Sequence, residues 1–416
     1  MSLIFYCLSC SCSIFIYIYR IFPIKNQTKQ SLNNGDLKCH TPAKQFGGPK
    51  SSFGAIVSVH AIGDFIFVLH SDFTLCSYKL HSTRNNSLPF QIRADKCRML
   101  ENSTGASPRA VEHASQHEDN DQDHNIFMIN SESLAFTMGG HMRAIDHGAD
   151  SSLLIMNCDA FENVVKVYSI ETLQRQRSVS GGHRGRINCI KVSEDGALMV
   201  TGGDDATCRV WVVEHDALAT AITDGYLSSL GLDDDEVTCA HVLFGHVSPI
   251  TCVAICSKLD VVISGSKDGS ICIHNVRSGK FVRSLHVDAT NKEVKSSCAR
   301  NNNVIIPQKL AIHMDGTFVA YFGDGTLVVI TINGECICKA NSREKINSML
   351  ICHESEVLIT GGELGTLRVW TLHDLSVRCT LNIKKYGPIT TLALTSDPSF
   401  LCVGSSNGFL SVIFRI

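Results

Sequence analysis

The sequence predicts an all-β chain assembled from copies of one short antiparallel unit, and three observations lead there. Residues 182–212 (GHRGRINCIK through CRVWV) align with residues 245–275 (GHVSPITCVA through CIHN) once their histidines are superposed. His183 to Asp205 and His246 to Asp268 are both 22 residues, and Thr201 and Ser264 each stand four residues before the aspartate. Strand-length apolar or alternating runs, separated by Gly, Asp and Asn turns, recur from residue 51 to the end. Finally, Gly269, Gly325, Gly365 and Gly408 all follow a turn residue, where a tight strand reversal favours φ > 0.

The unit has a mechanical reading. Residues 187–193 form a strand, 194–196 a turn around Asp195-Gly196, 197–202 a returning strand, 203–206 a tight turn and 207–212 a third strand. That path brings Asp205 back to the rim where His183 sits. A buried His183 can then donate to the Asp205 carboxylate and accept from the Thr201 hydroxyl, while the Trp211 indole N–H donates to the same hydroxyl. Each hydrogen bond to a charged acceptor contributes roughly 1.5–3 kcal/mol. The residue types also suit a catalytic His/Asp/Ser set. Repetition decides between the readings: a catalytic site is seldom copied within one chain, whereas a structural clasp is.

A GH pair, an apolar strand and then TGGDDATCRVW resemble the WD-repeat signature, whose unit is a four-stranded propeller blade of about forty residues. That resemblance implies a WD-repeat β-propeller. The family's tetrad maps onto His183, Thr201, Asp205 and Trp211 without a gap. In the second copy it maps onto His246, Ser264 and Asp268, with His274 where the tryptophan belongs.

Taken in order, the chain opens with 2–19, which carry no charge. Residues 1–24 are compatible with a mis-called start, a membrane anchor or a signal peptide, though no basic residue precedes the apolar run. Residues 25–50 form a linker, or 28–50 supply the strand that closes the ring. AIVSVHA, FIFVLHS and TLCSYKL give a first, degenerate blade over 51–82. Residues 83–125 are rich in Asn and Ser, which points to a disordered insertion whose histidines have no metal-like spacing. Further blades are expected at 126–180, 181–240, 241–285, 300–341, 342–381 and 382–416, seven in all, several of them degenerate. The acidic run Asp233–Glu236 reads as a solvated loop. ICHESEVLITGGELGTLRVWTL keeps Thr360, Gly361, Gly362 and Trp370, but Leu364 holds the aspartate position and Ser342 the histidine position. The last blade ends on its third strand, so its fourth must come from elsewhere.

The order of departures carries a narrower resemblance. A tetrad-perfect blade is followed by GHVSPITCVAICSKLDVVISGSKDGSICIHN. Next come a blade turning on Thr331-Ile332-Asn333-Gly334, the stretch ITGGELGTLRVW and a final GPITTLALTSD. This series resembles the carboxy-terminal WD-repeat region of BEACH-domain, neurobeachin-like proteins over about residues 50–416. The resemblance implies a scaffold in vesicle trafficking, lysosome-related organelle biology and autophagy. It also implies a chain that is part of a larger protein, with peripheral membrane association through a PH-BEACH region not present here.

Composition narrows the function classes. The 416 residues are 44% apolar and carry net charge −3, which offers no global attraction to nucleic acid or anionic membrane. Nineteen cysteines is an odd number, and they fall mostly within strands. Cys189 and Cys252 share one core position, so reduced thiols and a cytoplasmic setting are expected, with no metal site. No H-E-x-x-H motif or glycine-rich phosphate loop occurs, so neither an enzyme nor a cofactor is expected. The expected function is protein–protein interaction. Arg184, Arg186, Asp204, Lys267 and Glu363, beside the clasps, are the candidate partner-binding rim.

Overall fold

The computed structural model describes residues 2–6, 13–20, 55–62, 65–71, 74–82, 90–99, 144–147, 153–157, 165–169, 175–179, 182–213, 238–287, 294–295, 304–395 and 400–414. Among the described residues the strands make seven antiparallel sheets. Sheet one is Ile56–Ile62, Phe65–His70, Thr74–Ser82 and Phe90–Met99. Sheet two is Ala144–His147, Leu153–Asn157, Val165–Ser169 and Arg175–Val179. Sheet three is Ile187–Val192, Leu198–Gly203, Cys208–Val212 and Thr238–Leu243. Sheet four is Ile250–Cys256, Val261–Ser266, Ser270–Asn275 and Phe281–Val287, with Val294–Lys295 added at its edge. Sheet five is Pro307–Ile312, Thr317–Phe322, Thr326–Thr331 and Cys336–Asn341. Sheet six is Ile346–Cys352, Val357–Gly362, Thr366–Thr371 and Val377–Asn382. Sheet seven begins with Ile389–Leu394, Phe400–Ser405 and Phe409–Phe414.

The first strand of each sheet touches the first strand of the next, and that of sheet one touches both sheet seven and sheet two. The first strands therefore circle a common axis, which is the arrangement of a β-propeller. Burial follows from it. The second strands of sheets three to six are buried at every position, because a neighbouring sheet covers each face. The core is shared between sheets: Ile250 and Val253 of sheet four pack with Leu198, Val200 and Val210 of sheet three. Ile56, Val59 and Val68 of sheet one pack with Leu410 and Val412 of sheet seven, joining the two ends of the ring. Burying each such side chain contributes about 1.5–3 kcal/mol before conformational entropy is subtracted.

The reversals match the glycine pattern. Between second and third strands, Gly269, Gly325, Gly365 and Gly408 have φ of 81°, 88°, 71° and 76°. Sheet three places Ala206 at the equivalent point with φ 61°.

Three expectations about segments are corrected. The fourth strand of sheet seven is Ser13–Arg20, pairing Phe15 with Phe414 through to Arg20 with Phe409, and Ser2–Tyr6 adds a fifth strand beside it. The uncharged amino-terminal stretch is thus drawn into the ring, and residues 28–50, expected to do this, lie outside the described residues. An Ile/Tyr/Phe run is as good a strand former as a membrane former, and the open edge of Phe409–Phe414 supplies the pairing groups. Among the described residues no helix is long and apolar enough to cross a membrane. Residues 90–99, assigned to a disordered insertion, are the outer strand of sheet one, paired from Phe90 to Met99 with Ser82 to Thr74. An outer strand needs little apolar character, so its polar sequence concealed it; residues 100–125 lie outside the described residues. The boundary expected at residue 240 falls inside the fourth strand of sheet three.

Candidate functional site

Every sheet with described turns presents the same end to one rim. There the residue after the second strand donates its amide to the residue just before the first strand: Asp204 to Arg186, Lys267 to Pro249, Gly323 to Ile306, Glu363 to Lys345 and Ser406 to Pro388. The clasps lie directly beneath these bonds.

In sheet three, His183 Nδ1 is 3.0 Å from Asp205 Oδ1, and its Nε2 is 2.7 Å from the Thr201 hydroxyl. The Trp211 indole donates to that hydroxyl at 2.9 Å. The pattern assigns the proton to Nδ1, which donates to Asp205, while Nε2 accepts from Thr201. Asp205 also accepts from the Arg184 amide at 2.9 Å and from the Thr207 hydroxyl at 2.8 Å. Burial acts to raise the Asp205 pKa, but the bonds from Arg184, Thr207 and His183 outweigh it and hold the carboxyl at about 2. Gly203 makes room for the network, since a Cβ there would stand 2.6 Å from His183 Nδ1. His183, Thr201, Asp205 and Trp211 are thus joined in one hydrogen-bonded network that links loop, turn and strands.

The second clasp is built differently. His246 Nε2 meets the Ser264 hydroxyl at 2.8 Å, but Asp268 is 4.0 Å from Nδ1. The Ser270 hydroxyl sits between them, 2.7 Å from Nδ1 and 2.5 Å from Asp268 Oδ1, and relays the bond. His274, at the tryptophan position, meets the Phe244 carbonyl at 2.8 Å instead of Ser264, and its buried Nδ1 has no hydrogen-bond partner among the described residues.

Sheet six holds a clasp that the sequence reading missed. Trp370 donates to Thr360 at 2.9 Å, as in sheet three. Ser342 and Leu364 cannot complete the set, and Leu364 is exposed. Glu344 fills the space instead, with its side chain only 2% exposed. It accepts from the Leu364 amide at 3.2 Å and pairs with Arg368 at 2.8 Å, and Arg368 also donates to the Ser342 carbonyl. A Cβ at Gly362 would collide with Glu344, as one at Gly203 would with His183. The signal was present in the glycine pair and in the shared arginine of CRVW and LRVW, at Arg209 and Arg368. The register linking Glu344 to Arg368 was not legible.

The buried imidazoles set a pH response. Burial lowers the pKa of His183 despite the opposing pull of Asp205. Burial lowers that of His246 to about 4, with Asp268 opposing and His274 adding to the shift. Burial also lowers His274 and His353. All four bind a proton less readily folded than unfolded, where histidine titrates near 6.5. Their stabilisation is complete above pH 6.5 and declines as pH falls toward about 4. The expected result is a melting temperature that drops steadily between pH 6.5 and 4, read by scanning calorimetry. A flat profile across that window would contradict the assigned neutral imidazoles.

The expected rim residues lie at the same end of their different sheets. Arg184, Arg186, Lys267 and Glu363 are exposed on the rim. Asp204 is half-buried and accepts from Asn188 at 2.8 Å, so it orients the loop more than it meets solvent. Glu363 lies 3.7 Å from Lys345. The sequence reading missed the apolar part of the same face: Val247 (87% exposed), Val304 (56%) and Leu364 (57%).

A ring of sheets fastened at one rim by histidine–hydroxyl–carboxylate clasps defines a WD-repeat β-propeller. Residues 130–416 match the family model described as the neurobeachin beta propeller domain, well over half of the chain. The chain belongs to that family, the WD-repeat region of BEACH-domain proteins. It is 29% identical over 265 residues to BEACH domain-containing protein B of Arabidopsis thaliana, covering 62% of this chain and 9% of the relative. It is 23% identical over 273 residues to BEACH domain-containing protein lvsE of Dictyostelium discoideum, covering 62% and 11%. Against Protein SPIRRIG of Arabidopsis thaliana the identity is 26% over 264 residues, covering 54% and 6%. The matched region is therefore a small fraction of each relative's length.

Proposed function

We propose that this propeller is a non-catalytic docking platform of a BEACH-type protein, and that its clasped rim binds a protein partner. The observation that carries the reading is the composition of that rim. Exposed Arg184, Arg186 and Lys267 stand among exposed Val247, Val304 and Leu364. Apolar side chains rimmed by charge are what a protein interface requires, and arginine is enriched at such interfaces. The clasp histidines and carboxylates are consumed by internal bonds, which favours a platform over an enzyme. Membership of the BEACH family favours a place in vesicle trafficking, on the cytoplasmic side of membranes and with membrane attachment through the PH-BEACH part. On this reading residues 51–416, joined by the strand from the amino terminus, act as one unit.

The test is charge reversal. Arg184→Glu with Arg186→Glu is expected to abolish capture of the proteins retained by the native propeller while leaving its melting temperature unchanged. Undiminished capture after reversing Arg184, Arg186, Lys267 and Glu363 together would refute the rim as the docking surface.

A further inference from the structure

The axis of the ring encloses a cavity of about 550 Å³, lined by the first strands of six sheets. Its described lining mixes polar with apolar side chains and contains no aspartate or glutamate. Much of that polarity is already used to stitch neighbouring sheets. Asn188 donates to the Ile250 carbonyl at 3.0 Å and Asn347 to the Ile389 carbonyl at 2.9 Å. The Ser348 hydroxyl accepts the Leu392 amide at 3.0 Å, and Thr391 accepts the Val59 amide at 3.3 Å. Accepting those amides leaves both hydroxyl protons able to donate into the cavity.

Lys309 is the exception. It is the third residue of its strand, half-buried in the cavity wall, and its ammonium meets no hydrogen-bond or ion-pair partner among the described residues. Its near charges include two more cations: Lys345 at the rim and Lys191 deeper along the axis. Burial pushes the Lys309 ammonium down in pKa; the Cys252 thiol opposes this, and Lys191 and Lys345 reinforce it. Lys309 and Lys191 thus line one channel, with Lys345 at its rim beside Glu363.

The opposite mouth is spanned. Glu194 of sheet three lies 3.9 Å from His353 of sheet six and 3.5 Å from Lys258 of sheet four. His353 stacks on His313 of sheet five, with ring centroids 5.1 Å apart. All four come from turns between first and second strands, at the end away from the clasps. The channel is therefore bridged at that end and entered from the rim side.

We infer that the central channel is a binding site for a small phosphate-bearing molecule, entered from the clasped rim, with Lys309 as its principal charged ligand. Lysine meets phosphate as a point charge, and the Ser348 and Thr391 hydroxyls would supply neutral donors beside it. The cavity lies within the size range of small-molecule sites and is larger than an inorganic phosphate needs, so an ester carrying several phosphates suits it better. An anion there would offset the repulsion between Lys309 and Lys191.

The test titrates the full 416-residue chain with inorganic phosphate, inositol hexakisphosphate and vesicles containing a phosphorylated inositol lipid, by calorimetry and co-sedimentation. Saturable one-to-one binding of inositol hexakisphosphate is expected, weakened at least tenfold by Lys309→Gln and retained within about threefold by Lys309→Arg, because the arginine keeps the charge. Lipid-vesicle binding that Lys309→Gln abolishes would support the same site with a headgroup as its source. Lys309→Gln is expected to fold, since it removes a repelling charge, and its melting temperature without ligand checks that. Binding unchanged by Lys309→Gln, or no binding of any of the three probes, would overturn the inference. Partner capture by the rim is read separately, so neither result decides the other.

Discussion

Arg368→Ala is expected to lower the unfolding free energy by about 3–5 kcal/mol. The loss would come less from the missing contact than from what remains. Glu344 is almost fully covered, and burial already raises its pKa even with Arg368 beside it. Without the guanidinium, its carboxylate keeps the Leu364 amide and the Thr366 hydroxyl, both uncharged donors, and loses its adjacent cation. The Ser342 carbonyl also loses the donor that Arg368 provides. Urea unfolding gives the comparison. The double variant with Glu344→Gln should recover part of the loss, because a neutral amide is far less costly to bury than an unpaired charge. A cost below about 1 kcal/mol for Arg368→Ala would mean that the pair behaves as a solvated surface bridge.

His183→Ala is expected to cost about 2–4 kcal/mol, as a sum of lost hydrogen bonds and the cavity left beneath the rim. The Thr201 hydroxyl, fully buried, would lose its acceptor and keep only the Trp211 donor. Asp205 would retain the Arg184 amide and Thr207, so its carboxylate would not be stranded. Trp211→Phe should cost less, about 1–2 kcal/mol, from one lost bond and the part of the buried indole that a phenyl ring leaves unfilled. His246→Ala should fall near His183→Ala, because Ser270 delivers the same number of bonds through a relay. Equal, negligible losses for all three variants by urea unfolding would show that the clasps do not hold the sheets.

The clasp in sheet three was legible because its parts are local. His183, Thr201, Asp205 and Trp211 lie on one out-and-back path, and strand geometry alone returns the aspartate to the histidine. The clasp in sheet six was half legible. Thr360 and Trp370 follow the same local rule, whereas Glu344 enters from a loop position where sheet three has Gly185. Gly185 has no such room, since a Cβ there would meet Asp204 at 3.0 Å. The residues were in view, but the space that admits Glu344 exists only once Gly362 and the loop are packed together.

The same division runs through the whole molecule. Sequence alone determined the repeating four-strand rhythm, the glycine reversals, the histidine–aspartate spacing and the rim on which the charged residues gather. Each depends on contacts within about forty residues, where backbone geometry limits the alternatives. Only the tertiary structure decided which strand completes sheet seven, that Phe90–Met99 belongs to sheet one, and that Lys191 and Lys309 line one channel. Those groupings join segments from different sheets or opposite ends of the chain. Closing the ring brings them together, and no local periodicity encodes that closure.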